Sequence, residues 1–422
     1  MISTGLKKPI FLWCLANVFF AYQFILRVSA GILREEIIQR FAIDAGSFGV
    51  LAGYYYLGYS CSQIPFGIML DRTSFRLITS IAIFTTAIGT ILYATTDNWS
   101  AFLFARFLVG TGSGIAFLSI AKITKLFFNE KYHSLMLGFS FTFGLTGAVF
   151  GVTPMKFLFN YFGFSKTFKI LAFVAIILSM AMLTFGKIER KQNNQSLNDV
   201  IKSVVNLITN PKILLIGVCG GLMVGALEGF GDVWAIPFFS QYYGMSESES
   251  NNVTSCVYIG MCFGGPILAL IACVLRSTNF MIFLTGILMV SVFMILFYVE
   301  PLSPLSSAAL MFFLGILCCY QVLVFSVASS YVEQESVGLA VAVINCINMS
   351  FGHFFHYIIG NNFEQNWDGK VNSLGHALYS SDNFIHSLSV IPLYCFIGQL
   401  GFMFLAISNK PFIQKYFKRK IS

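Results

Sequence analysis

The sequence predicts an all-α membrane protein with twelve transmembrane helices in two six-helix bundles. Three observations carry that prediction. Of the 422 residues, 57% are hydrophobic and only 10% are charged, with a mean hydropathy of +0.77, whereas soluble domains carry about 25% charged residues. Charged or turn-rich breaks recur at the spacing of helices of roughly 20 apolar residues, the length a bilayer demands. The longest polar stretch, residues 187–212, falls after the sixth apolar run and divides the chain six plus six.

Taken in order, the apolar runs lie near residues 9–32, 48–70, 77–96, 101–126, 132–155 and 167–187, then near 213–239, 252–274, 279–298, 305–330, 338–360 and 384–407. The expected organisation is an N-terminal bundle over 1–187, a linker over 188–212, a C-terminal bundle over 213–407 and a basic tail over 408–422. Within the linker, residues 197–208 are amphipathic enough for a short helix lying on the membrane. The first run is too long for a cleavable signal peptide and lacks a small-residue cleavage site.

Charge sets the orientation. With both termini on one side, 17 of the 26 Lys and Arg residues fall on that side and six on the other, leaving Arg27, Arg106 and Lys122 embedded. By the positive-inside rule both termini are cytoplasmic, in a cytoplasmic (inner) membrane. The net charge of +8 is therefore explained by anionic lipid headgroups, above all at the tail, and calls for no nucleic-acid partner. Most of the ten cysteines sit inside apolar runs with neither CxxC pairs nor metal-ligand spacing, so they read as small hydrophobes; no metal and no cofactor are expected.

An internal duplication is suggested by Pro65 and Pro266, each late in the second run of its half, 201 residues apart. The same offset carries Arg27 to Glu228, placing opposite charges in matched helices. Arg27 lies about 10 Å below the charged exit that begins at Arg34. A lipid-embedded arginine is costly, so it faces a protein interior or a watery cavity. It is either an anion-binding group of that cavity or half of a structural ion pair.

Glu228 and Asp232 stand four apart on one helical face amid glycines, a pattern suited to a bent binding-site helix. One of them would exchange a proton, or Glu228 would merely neutralise Arg27 while Asp232 reaches the outer interface. Tyr55 and Tyr59 share a face with Gln63, fit either to line a substrate cavity or to pack helices, and Trp234 admits the same two readings. His353 and His356 share a face of the eleventh run, and His353 is a candidate for proton coupling. Lys122 faces either the cavity or the inner surface.

Two stretches resemble known motifs. Gly67-Ile-Met-Leu-Asp71-Arg72-Thr-Ser-Phe-Arg76 is similar to the loop motif of the major facilitator superfamily, whose Asp and Arg pin an inner gate; Ser74 and Phe75 replace its usual Gly and first Arg. Arg106-Phe-Leu-Val-Gly110-Thr-Gly112 resembles the superfamily's second signature, in which the arginine is linked to proton coupling. The run Ala21–Arg27 looks like the first helix of its organic-anion and organophosphate symporters. The sugar-phosphate members place a second arginine in span seven, where this chain has Glu228, which argues against a phosphate dianion.

The resemblance implies alternating access, with Gly67, Asp71, Arg72 and Arg76 at the inner gate and Arg106 near the proton path. The expected function is proton-coupled uptake, by a monomer, of a small organic anion or zwitterion: a carboxylate, amino acid or peptide. An exporter of drugs or siderophores and a non-transporting nutrient sensor are the alternatives. No nucleophile–base constellation argues for an enzyme.

Overall fold

In the computed structural model, residues 7–129, 132–186, 197–299, 302–333, 336–371 and 377–408 are described; most of the linker and the basic tail lie outside them. The first bundle begins with α1 (Lys7–Ile32), a short α2 (Arg34–Phe41), α3 (Ala45–Arg72), α4 (Phe75–Thr95) and α5 (Trp99–Phe127). It closes with α6 (133–162) and α7 (164–185). A surface helix, α8 (Leu197–Thr209), leads to the second bundle. That bundle comprises α9 (Pro211–Tyr242), α10 (Glu247–Leu275), α11 (Thr278–Tyr298), α12 (Pro304–Ser329), α13 (Val337–Gln365) and α14 (Ser381–Ser408).

Ten stretches among the described residues are helical, long and apolar enough to span a bilayer. The polar stripe of α3 and the division of residues 133–185 into two passes complete the twelve. Helical hydrogen bonding runs from His133 to Phe185, yet Gly163 takes φ 75° and ψ 169°, a conformation open essentially to glycine alone. The chain reverses there. On the way out Gly147 meets the Ala21 backbone and Lys156 reaches Glu36. On the way back the Tyr22 hydroxyl donates to the Leu171 carbonyl (2.8 Å), Ser179 to that of Ser80 (2.9 Å), and Phe185 meets Phe11.

Glycine notches hold each bundle together, as is usual where no hydrophobic force drives helices together. Gly58 and Gly110 each lie on a carbonyl of the opposite helix, Phe107 and Tyr55, where α3 crosses α5. Gly260 and Gly315 repeat the arrangement on Phe312 and Val257, where α10 crosses α12. The second pair follows the first by 202 and 205 residues, in keeping with the offset read from the prolines.

Twelve passes return the chain to the face from which it started, here called inner. At the outer face the bundles are pressed together. Gly49 lies on the His356 carbonyl, Gly360 against Ala45, and Gly31 against Val233. Lys156 of α6 bridges Glu36 and Glu247, each at 2.8 Å, and so ties α10 to the first bundle. Elsewhere on the molecule, Gly67, Gly138, Gly265 and Gly338, like Gly163, Gly244 and Gly369 in the turns, have no neighbour within 4 Å of a would-be Cβ. On α8 the exposed Ile201, Val205 and Ile208 form an apolar stripe suited to the membrane interface.

Candidate functional site

The site forms where α1 of the first bundle meets α9 of the second. Arg27 is buried there by apolar neighbours, its guanidinium carbon 5.4 Å from the Phe24 ring and 5.2 Å from the Tyr56 ring. Its position is fixed from behind. Arg106 of α5 donates to the carbonyls of Leu26 (2.6 Å) and Arg27 (2.7 Å), and its own guanidinium rests 4.9 Å from the Tyr55 ring. Two α1 carbonyls aimed at one guanidinium keep the helix from rotating.

Opposite, α9 departs from α-helical geometry. Residues Leu227–Trp234 and Phe238–Tyr242 make wide π-helical turns, a distortion frequent at functional sites. Gly225, Gly229 and Gly231, with Pro237 downstream, remove the side chains and one N–H that would hold a regular ladder. Glu228 and Asp232 both project from this stretch to Arg27. Asp232 takes the closer contact, Oδ2 to Nε at 2.5 Å, and Glu228 Oε1 lies 3.3 Å from Nη2.

Both carboxylates have further partners. Tyr56 of α3 and Tyr258 of α10 donate their phenols to Asp232, the latter at 2.7 Å. Gln321 of α12 donates to Glu228 Oε1 at 3.1 Å. Arg27 Nη2 and Glu228 Oε2 make no hydrogen bond, so the weaker of the two pairs keeps one spare donor and one spare acceptor. A buried ion pair stands only when its remaining hydrogen bonds are made; Asp232 meets that condition and Glu228 does not.

The remaining expected residues are distributed around this centre. Tyr55 donates to Gln23 Oε1 (2.5 Å), with the Tyr59 ring tilted against it at 6.2 Å, and Gln63 donates to the Gly114 carbonyl (2.9 Å), where α5 bends. Trp234 is fully buried, stacked on Phe363 and edge-on to Phe48. His353 packs against Gly53 and Tyr54 and forms no hydrogen bond or ion pair with either carboxylate among the described residues. His356 is fully buried with its ring 5.2 Å from that of Tyr56.

At the inner face Asp71 Oδ1 accepts from Lys122 Nζ (3.1 Å), which also donates to the Leu70 carbonyl. Arg76 is exposed and lies beside Gly186, while Gly67 faces open space. The structure thus brings together Arg27, Glu228, Asp232 and, through the backbone, Arg106. It leaves Gly67, Asp71 and Arg76 apart from this centre, at the far end of α3 and the start of α4.

Three residues of the centre were not singled out from the sequence: Tyr56, Tyr258 and Gln321. One signal was available, since Tyr258 follows Tyr56 by 202 residues, one more than the proline offset. Two repeat-related phenols therefore converge on one carboxylate.

Ten membrane-length apolar helices among the described residues, with buried opposite charges meeting at the seam of two bundles, define a multi-pass membrane protein. The Major Facilitator Superfamily model matches residues 13–355, and the chain belongs to that family. It is similar to the uncharacterized transporter BU466 of Buchnera aphidicola, at 25% identity over 45% of this chain and 50% of that one. It is also similar to the uncharacterized transporter YybO of Bacillus subtilis, at 23% identity over 57% and 60%. A third relative is a potential vesicular glutamate transporter, vglu-3, of Caenorhabditis elegans, at 22% over 47% and 41%. The matches thus span about half the length of these relatives.

Among solved structures, a point mutant of the nucleoside transporter NupG superposes with a TM-score of 0.73 at 14% identity, covering 94% of this chain and 99% of that one. A bacterial homologue of the human lysosomal transporter Spinster, inward-facing and unoccupied, gives 0.63 at 14% identity, covering 95% and 96%. These likenesses establish the fold.

Proposed function

We propose that this major facilitator transporter takes up a small organic anion or zwitterion together with a proton, in a cytoplasmic membrane with both termini inside. The observation that carries the reading is the double claim on Arg27. Its guanidinium is the natural partner for a substrate carboxylate, bidentate and charge-assisted, yet Asp232 already occupies it. A carboxylate entering the site competes with Asp232, and protonation of Asp232 removes that competitor while Tyr56 and Tyr258 retain an oxygen to which they can donate. Substrate and proton therefore favour each other at one residue.

The spare donor on Arg27 and the spare acceptor on Glu228 suit a zwitterion, its carboxylate on the former and its amine on the latter. Tyr55, Tyr59, Gln63 and Trp234 shape the surroundings, and Arg106 positions Arg27. His353 lies apart from this proton step. Gly67, Asp71, Arg72 and Arg76 serve the inner gate. A monomer suffices, because both bundles of one chain complete the site. A carboxylate is in keeping with the name of the relative vglu-3, a potential vesicular glutamate transporter.

The test is pH-jump uptake in proteoliposomes, with pooled organic acids, amino acids, dipeptides and sugar phosphates. Acid-driven uptake of a carboxylate pool, lost in Arg27→Ala and in Asp232→Asn, is the expected result. Uptake insensitive to both substitutions would reduce the cluster to a structural ion pair, and accumulation against an outward proton gradient would make the protein an exporter.

A further inference from the structure

Five charged side chains are buried among the described residues: Arg27, Arg34, Arg106, Glu228 and Asp232. Two carboxylates face Arg27 and two carbonyls hold Arg106. Arg34 is left over. It is 7% exposed, its Nε is shielded without a partner, and no hydrogen bond or ion pair joins it to any described residue. Its guanidinium carbon lies 5.6 Å from the Phe48 ring and 5.5 Å from the Trp234 ring. Those rings meet edge-on at 6.0 Å. Phe48 belongs to the first bundle and Trp234 to the second, so the seat of Arg34 spans the seam.

Ring faces compensate a cation only in part, by about 2 kcal/mol when desolvated. A buried charge without a counter-charge costs more than that. The in-plane N–H edges of the guanidinium, which match a carboxylate two to one, are unused. With every group ionised, the interior holds three positive charges against two negative ones. The carboxylate within electrostatic reach of Arg34, Glu35, is exposed to solvent and acts on it without a hydrogen bond.

Position adds direction. Arg34 follows Arg27 by seven residues, two helical turns and roughly 10 Å toward the outer face, on nearly the same side of the helix. The bonds from Leu33 N to Ser29 O (3.1 Å) and from Ile37 N to Leu33 O (3.0 Å) carry the helical path through the junction of α1 and α2. An anion arriving from outside meets Arg34 before it meets an Arg27 already held by Asp232.

We propose that Arg34, seated on Phe48 and Trp234, is a second anion-binding site of this transporter, taking a small monovalent carboxylate on the outer side of Arg27. The site stands on its own geometry and needs no proton coupling at Asp232. Trp234 is its built-in reporter. In the full-length protein in detergent, with Trp13, Trp99 and Trp367 replaced by Phe, sodium glutamate, sodium gluconate and sodium chloride are titrated at constant ionic strength against indole emission.

A saturable response to a carboxylate is expected. Arg34→Gln should weaken it at least about tenfold, the loss of a charge-assisted pair. Arg34→Lys, which keeps the charge but not the planar edge, should weaken it less and guards against a misfolded Gln variant. No saturable response in the Trp234-only protein, or one unmoved by both Arg34 substitutions, overturns the site. An equal response to chloride overturns the carboxylate assignment. Uptake is not the readout, so failure of the transport reading and failure of this one are separately visible.

Discussion

Arg27 and Asp232 form the closest charged contact in the interior, and their worth is measured by breaking it from each end. Arg27→Met leaves two buried carboxylates without a cation, and should cost roughly 3–5 kcal/mol as a lower thermal midpoint in detergent. Arg27→Met combined with Asp232→Leu removes the stranded charge that matters most and should recover much of that loss. A double mutant no more stable than Arg27→Met would mean that Asp232 is not the principal partner. Asp232→Asn keeps the shape, and in transport it should abolish proton-driven accumulation while preserving substrate counterflow. Glu228→Gln, which loses a 3.3 Å contact, should be milder in both assays. The charges of this centre were legible in the sequence because each interrupts an apolar run. Their hydrogen-bond partners were not. Tyr54, Tyr55 and Tyr56 occupy three successive positions that sweep about 200° of helix, so which of them meets a charge depends on the rotation of α3. That rotation is set by Gly49, Gly53 and Gly58 fitting neighbouring helices.

At the scale of elements, apolar length alone located most crossings. The break expected between the runs near 132–155 and 167–187 falls at Gly163, whose positive φ turns the chain within an otherwise uninterrupted helical ladder. The short α2 escaped that reading, having been read only as a charged exit from the first span. The glycine notches give the element-scale prediction. Gly110→Leu drives a side chain into the Tyr55 carbonyl and Gly315→Leu one into that of Val257, and overpacking costs about 1–3 kcal/mol. Each should reduce the yield of monodisperse protein on size-exclusion chromatography. Gly265→Leu, one position from the notch residue Gly264 but facing open space, should not. Equal losses at Gly110, Gly315 and Gly265 would show that these positions report general intolerance and not helix contact.

For the whole molecule, the close contacts between the bundles at Gly31, Gly49 and Gly360 would have to separate in each cycle of the proposed transport. A disulfide across that seal tests this directly. A Cβ on Gly46 would lie 3.8 Å from the Glu364 Cβ, close to the mean Cβ separation of a disulfide. In a background lacking the ten native cysteines, Gly46→Cys with Glu364→Cys should cross-link on mild oxidation and lose uptake, and reduction should restore it. Cross-linking without loss of uptake would place the moving parts elsewhere. The same pair reports on Lys156, whose bridge to Glu36 and Glu247 is partly exposed. Exposed pairs contribute about 0–1 kcal/mol, a small sum beside the stability of a bundle but a sizeable one for an equilibrium between two conformations. Lys156→Met should therefore slow the cross-linking by up to about fivefold without lowering the thermal midpoint. An unchanged rate would leave the seal to the packing of α3 against α13 at Gly49 and Gly360, where carbonyls and glycines meet too closely for charge to be needed.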